Sequence, residues 1–391
     1  MFTHKLFQLM AERQASDIFI SAGAAIHIKI QGNTMPINQQ IMTPAHIDQI
    51  AEELMNPEQR EIFRKEWEMN LSVGIPEMGN FRVNISKQRG TTAIVIRFIL
   101  SNIPTLDQLG VPPILNELIM KKRGLILIVG ATGSGKSTTI ASMLDYRNSN
   151  ITGHILTVED PIEFLFKHKK SIVNQREIGM DTKDWAVALK NAMRQAPDCI
   201  LIGEIRDRDT MQAAIGYAQT GHLCVATLHA NNSYHALNRI INFFAPENRP
   251  ALFLDLAVAL RAIASQRLVK RPDGVRVPAC EIMINSRHIA DLIERGEVQE
   301  IKEAMEQSLV PGSQTFEQDL LRLVKDNIIT LDEALENAES PTNLMWLYNN
   351  NDKELTGAGQ RKKEDTENAD TVLAPLDDSG TSFKEFTFKF K

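Results

Sequence analysis

The segment Gly130-Ala131-Thr132-Gly133-Ser134-Gly135-Lys136-Ser137 fits G-x-x-x-x-G-K-[ST] and follows the apolar run Leu125-Ile126-Leu127-Ile128-Val129. An apolar run of this length reads as a strand buried on both faces, and Thr138 to Leu144 reads as the helix that continues from the loop. A strand that enters a glycine-rich turn and leaves through a helix N-terminus constrains the chain to an α/β architecture with an anion site at one sheet edge. The glycines let backbone N–H groups turn toward phosphates, and Lys136 reaches the β- and γ-phosphates. The Ser137 hydroxyl presents itself to Mg²⁺, and Thr138 stands in the first helical turn, where the dipole is positive. Residues 130–138 therefore predict binding of a nucleoside triphosphate with Mg²⁺, taken below as ATP.

The chain has 391 residues, enough for two or three domains, with 43% hydrophobic and 24% charged residues. A net charge of -6 excludes a protein that coats nucleic acid, so no nucleic-acid partner is expected. Cys199, Cys224 and Cys280 are odd in number, far apart and set in apolar stretches. They read as small core residues of a protein in a reducing cytosol, not as a disulfide or zinc framework. The N-terminus lacks a signal-peptide apolar region, and no apolar run approaches the ~20 residues that span a bilayer. A cytoplasmic location without direct membrane insertion is expected, any membrane association going through partners.

Residues 1–100 mix amphipathic helices with strand-like alternation, as in Asp17-Ile18-Phe19-Ile20, Ile26 to Ile30 and Thr92 to Arg97, which predicts a small α+β domain. Thr43-Pro44 opens a helix with Ile47, Ile50, Ala51 and Leu54 on one face. Residues 101–107 form a linker. In residues 108–280, strand-like runs alternate with helical stretches, the sequence form of a parallel sheet covered on both faces. The helix after Asp184 carries Trp185, Ala188, Leu189, Ala192 and Met193 at core spacing. Residues 281–348 read as helical, with a capping box at Thr330 and Glu333. Residues 349–391 read as a disordered tail that closes with Phe383, Phe386, Phe388 and Phe390.

Ligands in open α/β sheets sit at the carboxyl ends of the strands, so the residues that end the other apolar runs are informative. One run ends in Glu159-Asp160-Pro161-Ile162-Glu163, one in Gly203-Glu204, and one in Leu228-His229. ATP hydrolysis needs neutralised phosphates, a positioned water and a group at the γ-phosphate. The assignment is Ser137 and Glu204 to Mg²⁺ and its water shell, Glu163 to the attacking water as general base, and His229 to the γ-phosphate region. Gly203 stands where many P-loop enzymes carry a metal-binding Asp, so the metal is expected to be held less directly.

In order, residues 130–137, Thr157-Val158-Glu159-Asp160-Pro161-Ile162-Glu163, Leu201-Ile202-Gly203-Glu204-Ile205-Arg206-Asp207 and Thr220-Gly221-His222 through His229 resemble four boxes of the type II/IV secretion ATPase superfamily. These are the Walker A, Asp box, atypical Walker B and His box. Ala15-Ser16-Asp17, Phe81-Arg82-Val83-Asn84 and Arg89-Gly90 resemble the N-terminal PAS-like domain of the type IV pilus retraction ATPases, and the chain lacks the long N-terminal region of extension ATPases. Gly221-His222-Leu223-Cys224, Arg239 to Phe244, and His288 to Arg295 in place of the AIRNLIRE motif of PilT-type members are closer to the PilU type. The resemblance implies a RecA-like core and a homo-hexamer with nucleotide between subunits. It implies an accessory retraction motor working with a PilT-type ATPase at an inner-membrane pilus platform protein. Arg82 and Arg97 become candidates for reaching the phosphates across a subunit interface, with Arg194 and Arg206 as weaker ones. A partner ring that couples another motor, an extension or secretion ATPase, and a DNA-translocating relative stand as alternatives.

Overall fold

Apolar alternation in the first hundred residues builds an antiparallel sheet, and the continuous apolar runs after residue 120 build a largely parallel one. The computed structural model describes residues 2–354 except 31, 76–77 and 100–101. It divides into two compact units, with the boundary between residues 101 and 102.

The first unit has six strands, β1 (Asp17–Ile20), β2 (His27–Ile30), β3 (Asn33–Pro36), β4 (Glu68–Ile75), β5 (Gly79–Gln88) and β6 (Thr91–Ile99), in the order β3-β2-β1-β6-β5-β4. Every pairing is antiparallel. β5 buries Phe81, Val83 and Ile85, and β6 buries Ile94, Ile96 and Ile99. With period-2 geometry all of these except Ile99, which its odd spacing puts on the other face, share one face of the sheet and pack in one core with Leu6, Met10, Ile47 and Ile50. The helix Pro44–Leu54 starts as the sequence predicts: Thr43 caps it with Oγ1 accepting from the His46 N–H, and proline occupies the first turn.

The second unit has seven strands: β7 (Gly124–Val129), β8 (Gly153–Glu159), β9 (Ser171–Glu177), β10 (Cys199–Ile202), β11 (Leu223–Leu228), β12 (Leu260–Lys270) and β13 (Arg276–Ile284). Their order is β13-β12-β7-β11-β10-β8-β9. All pairs are parallel except β12 with β13. Every residue of β7, β10 and β11 is buried, and separate apolar clusters cover the two faces of the sheet. This is the parallel sheet covered on both faces that the alternation predicts, and the RecA-like α/β core that the resemblance implies. Because β7, β8, β10 and β11 run the same way, their carboxyl ends come out at one edge. Cys199, Cys224 and Cys280 are free and buried, with burial pushing their thiols well above the usual range.

Three local expectations are corrected. Met193 does not join the core with Ala188, Leu189 and Ala192: it falls in a 3₁₀ turn after the helix Trp185–Ala192 and is exposed. At the helix Leu331–Asn337, Thr330 Oγ1 accepts from the Glu333 N–H, but the Glu333 carboxylate does not reach back. It accepts instead from the Lys270 N–H at 2.7 Å. The last helix, Pro341–Glu354, continues past residue 349, where the sequence reading begins a disordered tail. The closing phenylalanines lie outside the described residues.

Candidate nucleotide site

Conformation at the phosphate loop follows from its glycines. Gly133 and Gly135 have φ of +78° and +88°, values that disfavour any side chain, and Gly135 opens the helix Lys136–Asn150. A Cβ on Gly130 would lie 2.4 Å from the Gln266 carbonyl oxygen. One on Gly133 would meet nothing within 4 Å. The loop is therefore backed by β12 at Gly130 and open at Gly133, a concave face of backbone donors above a helix N-terminus. Lys136 is buried, and its Nζ donates to the carbonyls of Gly130 at 2.9 Å and Ala131 at 2.8 Å. Burial pulls its ammonium below the ordinary lysine range, and Glu204 and then Glu163 oppose that shift.

A cleft of about 220 Å³ opens in front of the loop. Thr132, Gly133, Lys136 and Ser137 line it on one side, and Glu159, Asp160, Glu163, Glu204 and His229 on the other. Every residue assigned a catalytic role from the sequence stands in this one cleft. Gly130, Ala131, Ser134, Gly135 and Thr138 are not in its wall: the first four belong to the loop itself, Ala131 being exposed, and Thr138 belongs to the first helical turn. The Ser134 hydroxyl is buried in the loop with no hydrogen-bond partner among the described residues.

Glu204 organises the opposite wall. Its carboxylate accepts from Arg206 Nε at 2.7 Å and lies 3.4 Å from His229 Nε2, while Arg206 Nη1 reaches Asp160 Oδ2 at 3.2 Å. Burial and the Lys136 charge lower the His229 pKa below the usual histidine value, so the imidazole is neutral at pH 7. A side chain at residue 203 would be crowded. A Cβ there would sit 3.1 Å from both the Val158 carbonyl oxygen and the Glu159 Cα, because β10 passes close to the end of β8. Thr227 Oγ1 donates to the Gly203 carbonyl and fixes that strand end.

Sequence reasoning left Glu159 without a role. Its carboxylate accepts from Thr157 Oγ1 at 2.6 Å and Gln175 Nε2 at 3.2 Å, and Gln175 also donates to the Phe164 carbonyl. Burial, then repulsion from Glu163, outweigh these bonds and push Glu159 up to about 7. Glu163 is exposed to the cleft. Gln266 was missed as well. Its signal was a polar residue inside the apolar run of β12, which requires a buried partner.

Arg82 and Arg97 belong to the first unit, not to the wall of this cleft. They are paired residues on β5 and β6, side by side on one sheet face, and Arg97 Nε donates to the buried Asp17 carboxylate at 2.8 Å. Among the described residues no three His, Cys, Asp or Glu side chains form a metal cage. Mg²⁺ at nucleotide sites takes one or two protein oxygens and completes its shell from phosphates and water. Ser137 and Glu204, facing each other across the cleft, are a donor set of that kind.

Residues 1–295 match the family described as type II/IV secretion system protein. The type IV pilus ATPase PilU of Pseudomonas aeruginosa is 46% identical over 88% of this chain and 90% of its own length. The type IV pilus retraction ATPase PilT of the same organism is 37% identical over 87% of this chain and 98% of its own. The crystal structure of the pilus retraction motor PilT with bound ADP superposes with a TM-score of 0.81 at 39% identity, covering 88% of this chain and 98% of that one. The Legionella pneumophila ATPase DotB gives 0.72 at 27% identity, over 84% and 93%. The phosphate loop, the carboxylate wall opposite it and these likenesses agree: the chain belongs to the type II/IV secretion system protein family, within its PilT/PilU group of ATPases.

Proposed function

We propose that this chain powers type IV pilus retraction as a PilU-type accessory motor, a homo-hexamer that hydrolyses ATP beside a PilT-type ring. It works from the cytoplasmic side on an inner-membrane platform protein. The observation that carries the ATPase part is the meeting of Lys136, Ser137, Glu163, Glu204 and His229 in one cleft. The 46% identity to PilU, above the 37% to PilT, supports the accessory role.

Within the cleft, loop N–H groups and Lys136 bind and orient the phosphates, at a lysine whose charge two carboxylates favour. Ser137 and Glu204 would hold Mg²⁺, which when bound supplies neutralisation of phosphate charge. Glu163 accepts the proton of the attacking water, being exposed where Glu159 is engaged by Thr157 and Gln175. Neutral His229 beside Glu204 is a hydrogen-bonding group for the γ-phosphate region. Arg82 and Arg97 supply positive charge across a subunit interface, as arginine fingers do. Imaging of labelled pili in cells lacking the gene tests the direction of the motor. Cells that keep pili but retract them slowly, weakly or not at all support the proposal, and cells without pili assign the chain to extension.

A further inference from the structure

Side chains of a strand alternate between its faces, and the second half of β12 uses that alternation to join two parts of the second unit. Gln266 and Leu268 face the phosphate loop. The Gln266 amide is buried, donating from Nε2 to the Ser134 carbonyl at 2.9 Å and accepting from Thr139 Oγ1 at 2.8 Å. The backbone carbonyl oxygen of Gln266, together with Ser134 Oγ, leaves no room for a side chain at Gly130, and Leu268 is the apolar neighbour of Gly135. Arg267 and Val269 face the other way. The Arg267 guanidinium lies 3.6 Å from the ring centroid of Phe316, donates to the Asn337 carbonyl and pairs with Glu339 at 3.2 Å. Val269 is buried in one cluster with Leu320, Leu321, Leu323 and Leu344 of the C-terminal helices.

The Glu339 carboxylate extends the connection to the His229 side of the cleft. It accepts from Asn232 Nδ2 at 2.7 Å, and Asn232 caps the helix Ser233–Asn242 three residues after His229. β12 is paired with both β7 and β13 up to Ser265, and from Gln266 to Lys270 it stays paired with β13, so a shift of the loop at Gln266 is carried along the paired strand. A displacement at Gln266 arrives at Arg267.

We propose that Gln266 and Arg267 couple the phosphate loop to the C-terminal helices, Gln266 as a positioning residue for the loop and Arg267 as its counterpart on those helices. Nucleotide in the cleft then tightens the C-terminal packing, and by linkage that packing tightens nucleotide binding. The proposal rests on the reading of the cleft as a nucleotide site.

The test is amide hydrogen exchange on the full chain with and without ADP. In the wild type, ADP slows exchange in residues 130–139 and also in the helices Phe316–Lys325 and Pro341–Glu354. Gln266→Met keeps the volume and removes both side-chain bonds. At saturating ADP it protects the loop but not the C-terminal helices, and it weakens ADP binding about tenfold, the scale of two neutral hydrogen bonds. Arg267→Lys keeps the charge but loses the stack and the forked donor, and it abolishes C-terminal protection while the loop is still protected. In steady-state turnover, Gln266→Met raises KM for ATP more than it lowers kcat, whereas a merely destabilised protein loses kcat at constant KM. C-terminal protection equal to wild type in both variants, or its absence in a wild type whose loop is protected, overturns the coupling. Loop residues that ADP fails to protect in the wild type overturn the nucleotide-site reading, and the coupling with it.

Discussion

Replacing Glu159 by glutamine should make the protein more stable at alkaline pH and change little in acid. The Glu159 carboxyl is enclosed near the end of β8, where burial and Glu163 raise it from 4.5 to about 7. A carboxyl with a raised folded pKa binds its proton more tightly in the folded state, so stability is greatest below the unfolded value and is lost as pH rises through the folded one. Between pH 5 and pH 8 this group alone lowers stability by about 2–3 kcal/mol, and partial solvent contact makes that an upper figure. Glutamine keeps an oxygen for Thr157 and carries no charge, so the variant lacks this slope. Urea unfolding of wild type and Glu159→Gln, without nucleotide or Mg²⁺, at several pH values from 5 to 8 measures the difference. The variant should gain on the wild type by about 1–3 kcal/mol over that range. A stability difference that stays constant within about 0.5 kcal/mol across the window refutes the argument that burial governs this carboxyl.

Lys136→Ala should weaken ADP binding about 10- to 100-fold, the worth of a charge-assisted contact, as read by calorimetry. Glu204→Ala should bind ADP but fail to turn ATP over, and turnover in that variant at the wild-type rate would remove Glu204 from the metal and water assignment. Gly203→Ala places a methyl 3.1 Å from two backbone atoms, so it should cost about 1–3 kcal/mol in unfolding experiments and displace Glu204 enough to lower kcat by more than about tenfold. Chelation with EDTA should stop turnover, and added Mg²⁺ should restore it.

The elements that carry the site were legible because their signals are local. β7, its glycine loop and the following helix can be read from one continuous stretch, Leu125 to Leu144, and Glu163, Glu204 and His229 from the rule that strand ends gather at one edge. What escaped depends on partners far away in sequence. Gln266 grips Ser134 and Thr139 across more than a hundred residues, and Glu333 leaves its expected cap because the Lys270 N–H competes for it. Gly203 read as a missing metal ligand, and the crowding of a Cβ there against the end of β8 could not be read from local sequence. Met193 kept helical spacing, but the helix had already tightened into a 3₁₀ turn, which rotates it outward. For Arg97, strand periodicity gives the face but not the ion pair with Asp17.

The central claim is that ATP turnover in this chain's own cleft drives retraction. Its most direct test is the retraction speed of labelled pili in cells lacking the gene and complemented with either wild type or Glu204→Ala. Wild type should restore retraction, and Glu204→Ala, expressed to the same level, should not. Full restoration by Glu204→Ala would contradict it and make the chain a structural ring for another motor.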